Sequence, residues 1–192
     1  MQILIGYMGS GKSTVGKVLA KNNNLMFIDF DDYIVEKENL SIPEIFKLKG
    51  EIYFRRKETE YLTELLSQKP EAVISLGGGT PCFGNNMEVV LEATPNVFYL
   101  KLSVDKLEER LQKEKAQRPL IKDIADKELS EFIRKHLFER NFYYLKSHHI
   151  ISVANETPEE IAAMATVMRR KSLRIELDEP IVDTCGTGGD GT

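Results

Sequence analysis

The sequence is poor in the residues that build disulfide frameworks and zinc sites. Its 192 residues include two cysteines and three histidines. Cys82 and Cys185 are far apart and form no C-x-x-C pair, so we expect reduced thiols. His136, His148 and His149 lack metal-ligand spacing, and neighbouring side chains on a strand would point to opposite sides. We therefore expect no histidine-based metal site.

Long apolar runs and an excess of positive charge are also missing. No run approaches the roughly 20 apolar residues that a membrane helix needs. A glycine motif begins at Gly6, which leaves no room for a signal peptide before it. We therefore expect a cytoplasmic protein that binds no membrane. The formal net charge of −4 argues against nucleic-acid partners, because binding to a phosphate backbone requires a basic surface.

What the sequence does contain is a complete phosphate-binding motif near its start. The stretch Gly6–Ser13 reads G-Y-M-G-S-G-K-S, which matches G-x-x-x-x-G-K-[ST], and it directly follows the apolar run 3–5. Its glycines permit a tight turn that brings backbone N–H groups against phosphate oxygens, at the positive end of the following helix. Lys12 is expected to reach the β- and γ-phosphates, and Ser13 to bind Mg²⁺.

Apolar runs alternate with amphipathic stretches along the chain, which has the length of one domain. Buried strands are predicted at 3–5, 25–28, 72–76, 97–100 and 150–153. Helices are predicted to begin near residues 12, 41, 51, 103, 126 and 157, with breaks at Asn22–Asn24 and at Gly50. The alternation predicts an α/β fold with a five-stranded, mostly parallel sheet between two layers of helices.

Three further stretches are candidates for ligand binding. Asp29–Asp32 ends the second strand, at the sheet edge where open α/β folds bind ligands. Gly77–Gly79 ends the third strand and would let a ligand approach bare backbone. Residues 32–62 contain more helix than one crossover requires, which indicates an inserted substrate-binding subregion. The basic segment 112–124 has few apolar residues and is predicted to be a lid.

The phosphate-binding motif alone does not choose among nucleotide-using proteins. An N-K-x-D-like guanine-binding motif is missing, which argues against a GTPase, and a motor ATPase usually needs a larger oligomerising module. A small domain with acids, isolated arginines and a basic lid favours a small-molecule kinase. Two alternatives stay open at this point: another kinase of the same fold, such as a gluconate or nucleoside monophosphate kinase, and a non-catalytic nucleotide-binding module.

Several motifs occur in the order and approximate spacing of one kinase family. With the glycine motif of residues 6–13, they are Asp29-Phe30-Asp31, Phe54-Arg55, Gly77–Gly79, Arg118-Pro119-Leu120 and Arg140–Tyr144. Over residues 1–171 the chain resembles shikimate kinases. The resemblance implies an adenylate-kinase-like P-loop kinase fold. It also implies ATP-dependent phosphorylation of the 3-hydroxyl of shikimate, on the route to chorismate and the aromatic amino acids, and we expect a monomer.

The resemblance also assigns roles on the nucleotide side of the site. It implies that Lys12 and Arg118 act in catalysis, that Arg118 closes over the phosphates as part of the lid, and that Asp29 holds Mg²⁺ through water beside Ser13. The ATP-binding residues that it implies are Gly9, Ser10, Gly11, Lys12, Ser13, Thr14, Arg110, Arg118, Asn155 and Pro158. A plain basic loop is the alternative interpretation of the lid.

On the acceptor side, Asp31 resembles the catalytic carboxylate that contacts the substrate hydroxyls. Arg55 and Arg140 resemble a pair that binds the substrate carboxylate, and Gly77, Gly78 and Gly79 resemble substrate-facing glycines. The plainer alternatives are a solvated acidic loop that caps the next helix and ordinary ion pairs on helix surfaces. Asp32 has no counterpart role and is expected to be such a cap.

The last 21 residues, 172–192, extend beyond the resemblance. Within them, Asp183–Thr192 resembles the glycine-rich loop of anthranilate phosphoribosyltransferases, without the domain that should follow that loop. We expect this tail to be a disordered appendage or the remnant of a fusion, and not a second working site.

Overall fold

The fold is a parallel sheet of five strands covered by helices. A computed structural model describes residues 1–118 and 120–171. The strands are β1 (Gln2–Ile5), β2 (Met26–Asp29), β3 (Ala72–Ser75), β4 (Val97–Leu102) and β5 (His149–Val153). They lie in the order β2-β3-β1-β4-β5, and every neighbouring pair is parallel. Each pair of successive strands is therefore joined by a crossover connection that contains at least one helix.

Among the described residues, seven α-helices flank this sheet. They are α1 (Lys12–Asn22), α2 (Phe30–Glu38), α3 (Ile42–Ser67), α4 (Asn86–Ala93), α5 (Val104–Glu114), α6 (Asp126–Tyr144) and α7 (Pro158–Lys171). Short 3₁₀-helices cover Thr80–Cys82 and Lys115–Gln117. The predicted α/β class with a five-stranded parallel sheet is confirmed.

Burial of the central strands explains why they are apolar throughout. All four residues of β1 and of β3 are buried, and β4 is buried except at Lys101. Parallel strands with helices on both faces have no solvent-facing side, so their sequences do not alternate. The carboxyl ends of β1, β2 and β3 meet at one edge, and each continues into a stretch that the sequence marked as a ligand-binding candidate.

Helix ends follow the local signals in the sequence. The Ser41 hydroxyl accepts the Glu44 amide while the Glu44 carboxylate accepts the Ser41 amide, which is the capping box that starts α3. Helix α3 is interrupted at Gly50, whose φ of 81° and ψ of 169° are not helical. The predicted break at this glycine is confirmed, because only glycine adopts such a conformation without strain.

Two helices were not predicted, and one predicted cap is wrong. Helix α2 follows β2 with no connecting loop, because Asp29 is its N-cap and accepts the Asp31 amide at 3.2 Å. Asp32 lies exposed in the first turn of α2 and does not cap it. Helix α4 also went unpredicted, since its eight residues are too few to give a clear helical period.

The segment predicted as a lid is partly helical. Helix α5 continues to Glu114, the 3₁₀-helix follows, and Ile121 is fully buried, so the segment is attached to the core near its end. Pro119 of the predicted lid motif lies outside the described residues, as does the tail 172–192 with Cys185. In the described part of the chain, no helix is both long and apolar enough to cross a bilayer.

Candidate active site

The phosphate-binding turn connects β1 to α1. Gly9 and Gly11 have φ of 76° and 88°, values that residues with a side chain rarely adopt. The Nζ of Lys12 donates to the backbone carbonyls of Gly6 at 2.9 Å and of Tyr7 at 3.0 Å. The hydroxyl of Ser10 is buried without a hydrogen-bond partner. The turn therefore has a positive charge and an unused polar group on its inner side.

Lys12 is buried, and its charge depends on its surroundings. Burial lowers the pKa of its ammonium group to about 8, while the carboxylate of Asp31 opposes this shift and Arg118 adds to it. Lys12 therefore keeps its proton at neutral pH. Lys12, Asp31 and Arg118 all line one cavity.

Asp29 and Ser13 meet beside this turn and form an oxygen-rich pair. The hydroxyl of Ser13 donates to Oδ2 of Asp29 at 2.6 Å, while Oδ1 of Asp29 caps α2. Within residues 1–118 and 120–171, no three His, Cys, Asp or Glu side chains are arranged to hold a metal. Mg²⁺ needs fewer protein ligands than that, because phosphates and waters complete its shell. The pair fits such an ion.

Asp31 lies in the first turn of α2 and packs against Gly77–Gly79, the glycine turn that follows β3. A Cβ added to Gly77 would lie 2.5 Å from Oδ1 of Asp31 and 2.9 Å from the hydroxyl of Thr80. Only glycine leaves room for the carboxylate here. Burial and then the charge of Asp29 raise the pKa of Asp31 to about 6, although the charge of Lys12 opposes the shift.

Arg55 lies at the other end of the same turn. A Cβ added to Gly79 would lie 3.2 Å from a terminal nitrogen of Arg55. The guanidinium bonds to Glu58 at 2.8 Å and packs on the ring of Phe83 with 3.7 Å to its centroid. Its buried Nε makes no hydrogen bond but lies 3.6 Å from a carboxylate oxygen of Glu51. Oε1 of Glu58, a fully enclosed carboxylate, accepts the hydroxyl of Thr80 at 2.7 Å. One edge of Arg55 is thus fixed by Glu58, while its Nε has only the ion pair with the exposed Glu51 and no hydrogen bond.

Arg140 projects from α6 toward the same region. Its NH1 donates to the backbone carbonyl of His136 at 3.2 Å, and the side chain is half-buried. Burial raises the pKa of the Cys82 thiol to about 11, and the charges of Arg140 and Arg55 both oppose that shift. The charges of both guanidinium groups therefore act on the same thiol.

A cavity of about 500 Å³ joins several of these groups. Its lining includes residues 8–15, Asp29, Asp31, Ser75–Gly78, Arg110, Glu114, Arg118, Glu156, Pro158 and Ile161. This brings together the predicted nucleotide-binding residues except Asn155, which is exposed, while the neighbouring Glu156 lines the cavity. Arg55, Gly79 and Arg140 lie outside its lining, so the cavity is the nucleotide side of the site and its border with the acceptor side.

Two arginines of the cavity have partners of different kinds. NH1 of Arg110 donates to the carbonyl of Gly9 at 3.3 Å and lies beside Gly11, so it is held against the phosphate-binding turn. Arg118 forms an ion pair with Glu114, four residues earlier. Arg118 must exchange that carboxylate for phosphate oxygens in order to act on a nucleotide.

Sequence reasoning missed three buried side chains around the glycine turn. Glu58 lies three residues after Arg55 on α3, a spacing that could have revealed the pair. The hydroxyl of Tyr144 donates to the carbonyl of Gly78, and its ring packs on Tyr99. Tyr7 bonds to His136 across 129 positions, and no local pattern signals a contact of that separation.

Comparisons with known proteins identify the family of this chain. A family model described as shikimate kinase matches residues 8–169. The chain belongs to the shikimate kinase family. It is similar to the shikimate kinase of Flavobacterium johnsoniae, with 47% identity over 158 residues, covering 82% of this chain and 92% of that relative. The family resemblance inferred from the motifs is thereby confirmed.

Solved structures of the family share its fold. The crystal structure of shikimate kinase from Bacteroides thetaiotaomicron is 35% identical, with a TM-score of 0.79 over 88% of this chain and 97% of that one. The shikimate kinase of Acinetobacter baumannii in complex with shikimate is 30% identical, with a TM-score of 0.78 over 89% and 94% of the two chains. The parallel sheet and its helices are therefore those of a P-loop kinase.

Proposed function

We propose that this protein transfers the γ-phosphoryl group of ATP to the 3-hydroxyl of shikimate, giving shikimate 3-phosphate and ADP. The observation that carries the proposal is the glycine turn after β3. Asp31 packs on Gly77 at one end of this turn, Arg55 on Gly79 at the other, and Gly78 approaches the backbone of Met8 in the phosphate-binding turn. An acceptor held there would lie beside the γ-phosphate.

The donor side supplies charge neutralisation and alignment. Residues 9–14 would bind the phosphates through backbone amides, and the unpaired hydroxyl of Ser10 would gain a partner. Ser13 would bind Mg²⁺ and Asp29 would hold it through water, an ion that neutralises phosphate charge when bound. Arg110 and Pro158 would contact the base, with Asn155 at the margin. Lys12 and Arg118 would stabilise charge on the transferred group.

Asp31 is suited to orient the acceptor hydroxyl and to take its proton. Phosphoryl transfer has a loose transition state, so the hydroxyl loses its proton late and the carboxylate need not be a strong base. A pKa of about 6 leaves Asp31 ionised at neutral pH yet basic enough to hold the proton briefly.

The substrate carboxylate would be recognised by Arg55 and Arg140. A guanidinium group offers two parallel donors that match a carboxylate, and the Nε of Arg55 makes no hydrogen bond that a substrate would have to replace. Glu58 fixes the other edge of Arg55, which leaves its position set before substrate binds. Gly77, Gly78 and Gly79 would let the cyclic acceptor approach the backbone.

The wider organisation follows from the same proposal. We propose one kinase unit over residues 1–171, with a substrate-binding subregion at about 32–62 and a lid at about 112–124 that carries Arg118. The enzyme would act as a cytoplasmic monomer, with ATP, Mg²⁺ and shikimate as its ligands and without nucleic-acid or membrane partners. The exposed segment around Arg118 supports a lid, since it lies over the cavity.

A coupled assay of ADP release tests the proposal directly. The purified protein is supplied with ATP and Mg²⁺, and then with shikimate, gluconate or a nucleoside monophosphate in turn. Among these acceptors, we expect only shikimate to stimulate ADP release. We expect that release to be lost when the metal is chelated. Release stimulated by gluconate or a monophosphate and not by shikimate would identify another kinase of this fold. Nucleotide binding without any acceptor-dependent release would identify a binding module.

A further inference from the structure

A partly buried hydrogen bond connects the phosphate-binding turn to helix α6. The hydroxyl of Tyr7 and Nδ1 of His136 are 2.9 Å apart, and their rings meet edge to face at 5.7 Å. Tyr7 is 2% exposed, and His136 is partly buried. The two residues are 129 positions apart, and their bond links the part of the site that would hold ATP to the helix that carries Arg140.

The connection continues at both ends through backbone carbonyls. At one end, the carbonyl of Tyr7 accepts Nζ of Lys12 at 3.0 Å. At the other, the carbonyl of His136 accepts NH1 of Arg140 at 3.2 Å. Three consecutive hydrogen bonds therefore join the phosphate-binding lysine to an arginine of the acceptor side.

Both members of the central bond are neutral at neutral pH. Burial raises the pKa of Tyr7 above that of a free phenol, so the phenol keeps its proton. Burial and the charge of Arg140 lower the pKa of His136 to about 4, so the imidazole carries one proton. We assign that proton to Nε2, which lets the Tyr7 hydroxyl donate to Nδ1. A neutral bond of this kind adds no net charge beside Arg140 and persists over the working pH range.

Nucleotide binding would act on this chain at Lys12. Phosphate oxygens are stronger acceptors for an ammonium group than backbone carbonyls, so a bound nucleotide competes with the carbonyl of Tyr7 for Nζ. A change in the position of Tyr7 is then transmitted to His136 through their shared bond, because the Tyr7 side chain is enclosed by the packed core and cannot move away independently.

We propose that Tyr7 is a positioning residue that couples nucleotide binding to acceptor binding, by holding helix α6 and Arg140 through His136. The inference rests on the proposed function, since it takes shikimate as the acceptor. Coupling between two ligands is reciprocal, so ADP would tighten shikimate binding by the same factor by which shikimate tightens ADP binding. Tyr7 touches neither ligand in this scheme and acts through Lys12 and Arg140.

The experiment compares the wild type with Tyr7→Phe, which removes the hydroxyl and keeps the ring. Titration calorimetry gives the dissociation constant of shikimate without nucleotide and with saturating Mg²⁺ and ADP, and the ratio of the two constants measures coupling. We expect a ratio above one in the wild type. A single neutral hydrogen bond limits its loss in Tyr7→Phe to roughly two- to tenfold.

Tyr99→Phe is the matched control. Tyr99 is 2% exposed, and its hydroxyl donates to Asn141 on the same helix at 3.1 Å, but this bond does not involve the phosphate-binding turn. We expect this variant to keep the wild-type ratio. The double variant Tyr7→Phe with His136→Phe should have the same ratio as Tyr7→Phe alone, because both changes remove one shared bond.

The outcomes separate the inference from the function on which it rests. If wild-type protein binds shikimate with a ratio of one, or if Tyr7→Phe keeps the wild-type ratio, the coupling role is overturned while the kinase function stands. Equal loss in Tyr7→Phe and Tyr99→Phe would assign the effect to general loosening of α6 and also overturn it. Wild-type protein that binds no shikimate in either state would overturn both.

Discussion

The donor and acceptor halves of the site are built in contrasting ways. The donor half is one contiguous turn, Gly6–Ser13, whose shape depends on its own glycine dihedral angles and on the helix that follows. The acceptor half combines side chains from α2, α3 and α6 around the glycine turn after β3. A contiguous motif carries its geometry with it, whereas a convergent site depends on packing between distant elements. Acceptor binding should therefore be the more easily disturbed property.

Charge is also handled differently in the two halves. Lys12 is a buried cation held by backbone carbonyls, with no side-chain bond to an acid. Arg55 is paired with the buried Glu58, and Asp31 is a partly buried acid with a raised pKa. Lys12 can therefore give its charge to a nucleotide without breaking an ion pair, whereas Arg118 must first leave Glu114. In the acceptor half, removal of one member leaves another charge unpaired.

Asp31→Asn should separate the halves most sharply. The amide keeps the size of the side chain but cannot accept the hydroxyl proton, so we expect kcat to fall by about 10²- to 10⁴-fold while ATP affinity changes little. Steady-state kinetics with a nucleotide-binding titration checks this. The control is Asp32→Asn, an exposed neighbour in the same turn of α2. Full activity in Asp31→Asn would remove Asp31 from the chemistry.

The glycine turn allows the acceptor half to be divided further. In Gly77→Ala the new Cβ would displace the Asp31 carboxylate, and a misplacement of about 1 Å can cost about 10²-fold in kcat. In Gly79→Ala the Cβ meets the flexible end of Arg55, so we expect a smaller effect, mainly on the shikimate KM. Kinetics of the pair tests this division. It fails if both variants change the same constant to the same extent.

The variants Arg55→Ala and Arg140→Ala should differ more in protein stability than in shikimate binding. Loss of a charged hydrogen bond raises the shikimate KM by roughly 10- to 100-fold in either Arg55→Ala or Arg140→Ala. Arg55→Ala also leaves the buried Glu58 without its cation and should lower the free energy of unfolding by about 1–3 kcal/mol. Within the described residues, the side chain of Arg140 bonds to a backbone carbonyl and pairs with no acid, so its variant should remain near wild-type stability.

Urea denaturation of both variants measures that difference. Arg56→Ala provides the reference, because Arg56 is exposed on the same helix as Arg55. Equal stability of Arg55→Ala and Arg56→Ala would show that Glu58 does not depend on Arg55, and would weaken the view of a pre-positioned guanidinium.

As the pH rises through about 6, activity should increase while the contribution of Asp31 to stability should decrease. The pKa of Asp31 is about 6 in the folded protein, above its ordinary value of 3.8, so its ionised form is disfavoured by folding. Its contribution to stability is therefore complete below pH 3.8 and is lost as the pH rises through 6. Activity needs the ionised form, so kcat/KM should fall about tenfold for each pH unit below 6.

The variant Asp31→Asn tests the stability arm. It removes the ionisable group, so it should exceed the wild type in unfolding free energy by about 1–3 kcal/mol at pH 8 and lose that advantage near pH 4. Urea denaturation at the two pH values measures the difference. A constant difference between the proteins would mean that Asp31 is not the group responsible.

Much of the fold could be predicted because its signals are local. Apolar runs marked all five strands, and the capping residues and Gly50 marked the beginnings and the break of α3. Helix α2 could not be predicted from such signals. The acidic residues at its start are equally typical of a loop. Only the hydrogen bond from the Asp31 amide to Asp29 shows that the helix follows β2 without a connecting loop.

The candidate site also has one part that local sequence signals predict and another that depends on tertiary contacts. The sequence by itself determined the phosphate-binding turn, since its dihedral angles and dipole are properties of neighbouring residues. The family resemblance supplied candidate residues for the acceptor half without their contacts. Only the tertiary structure decided that Asp31 packs on Gly77, that Glu58 fixes Arg55, and that Tyr7 meets His136. These contacts join residues far apart in the chain, and their geometry is set by how the helices pack on the sheet.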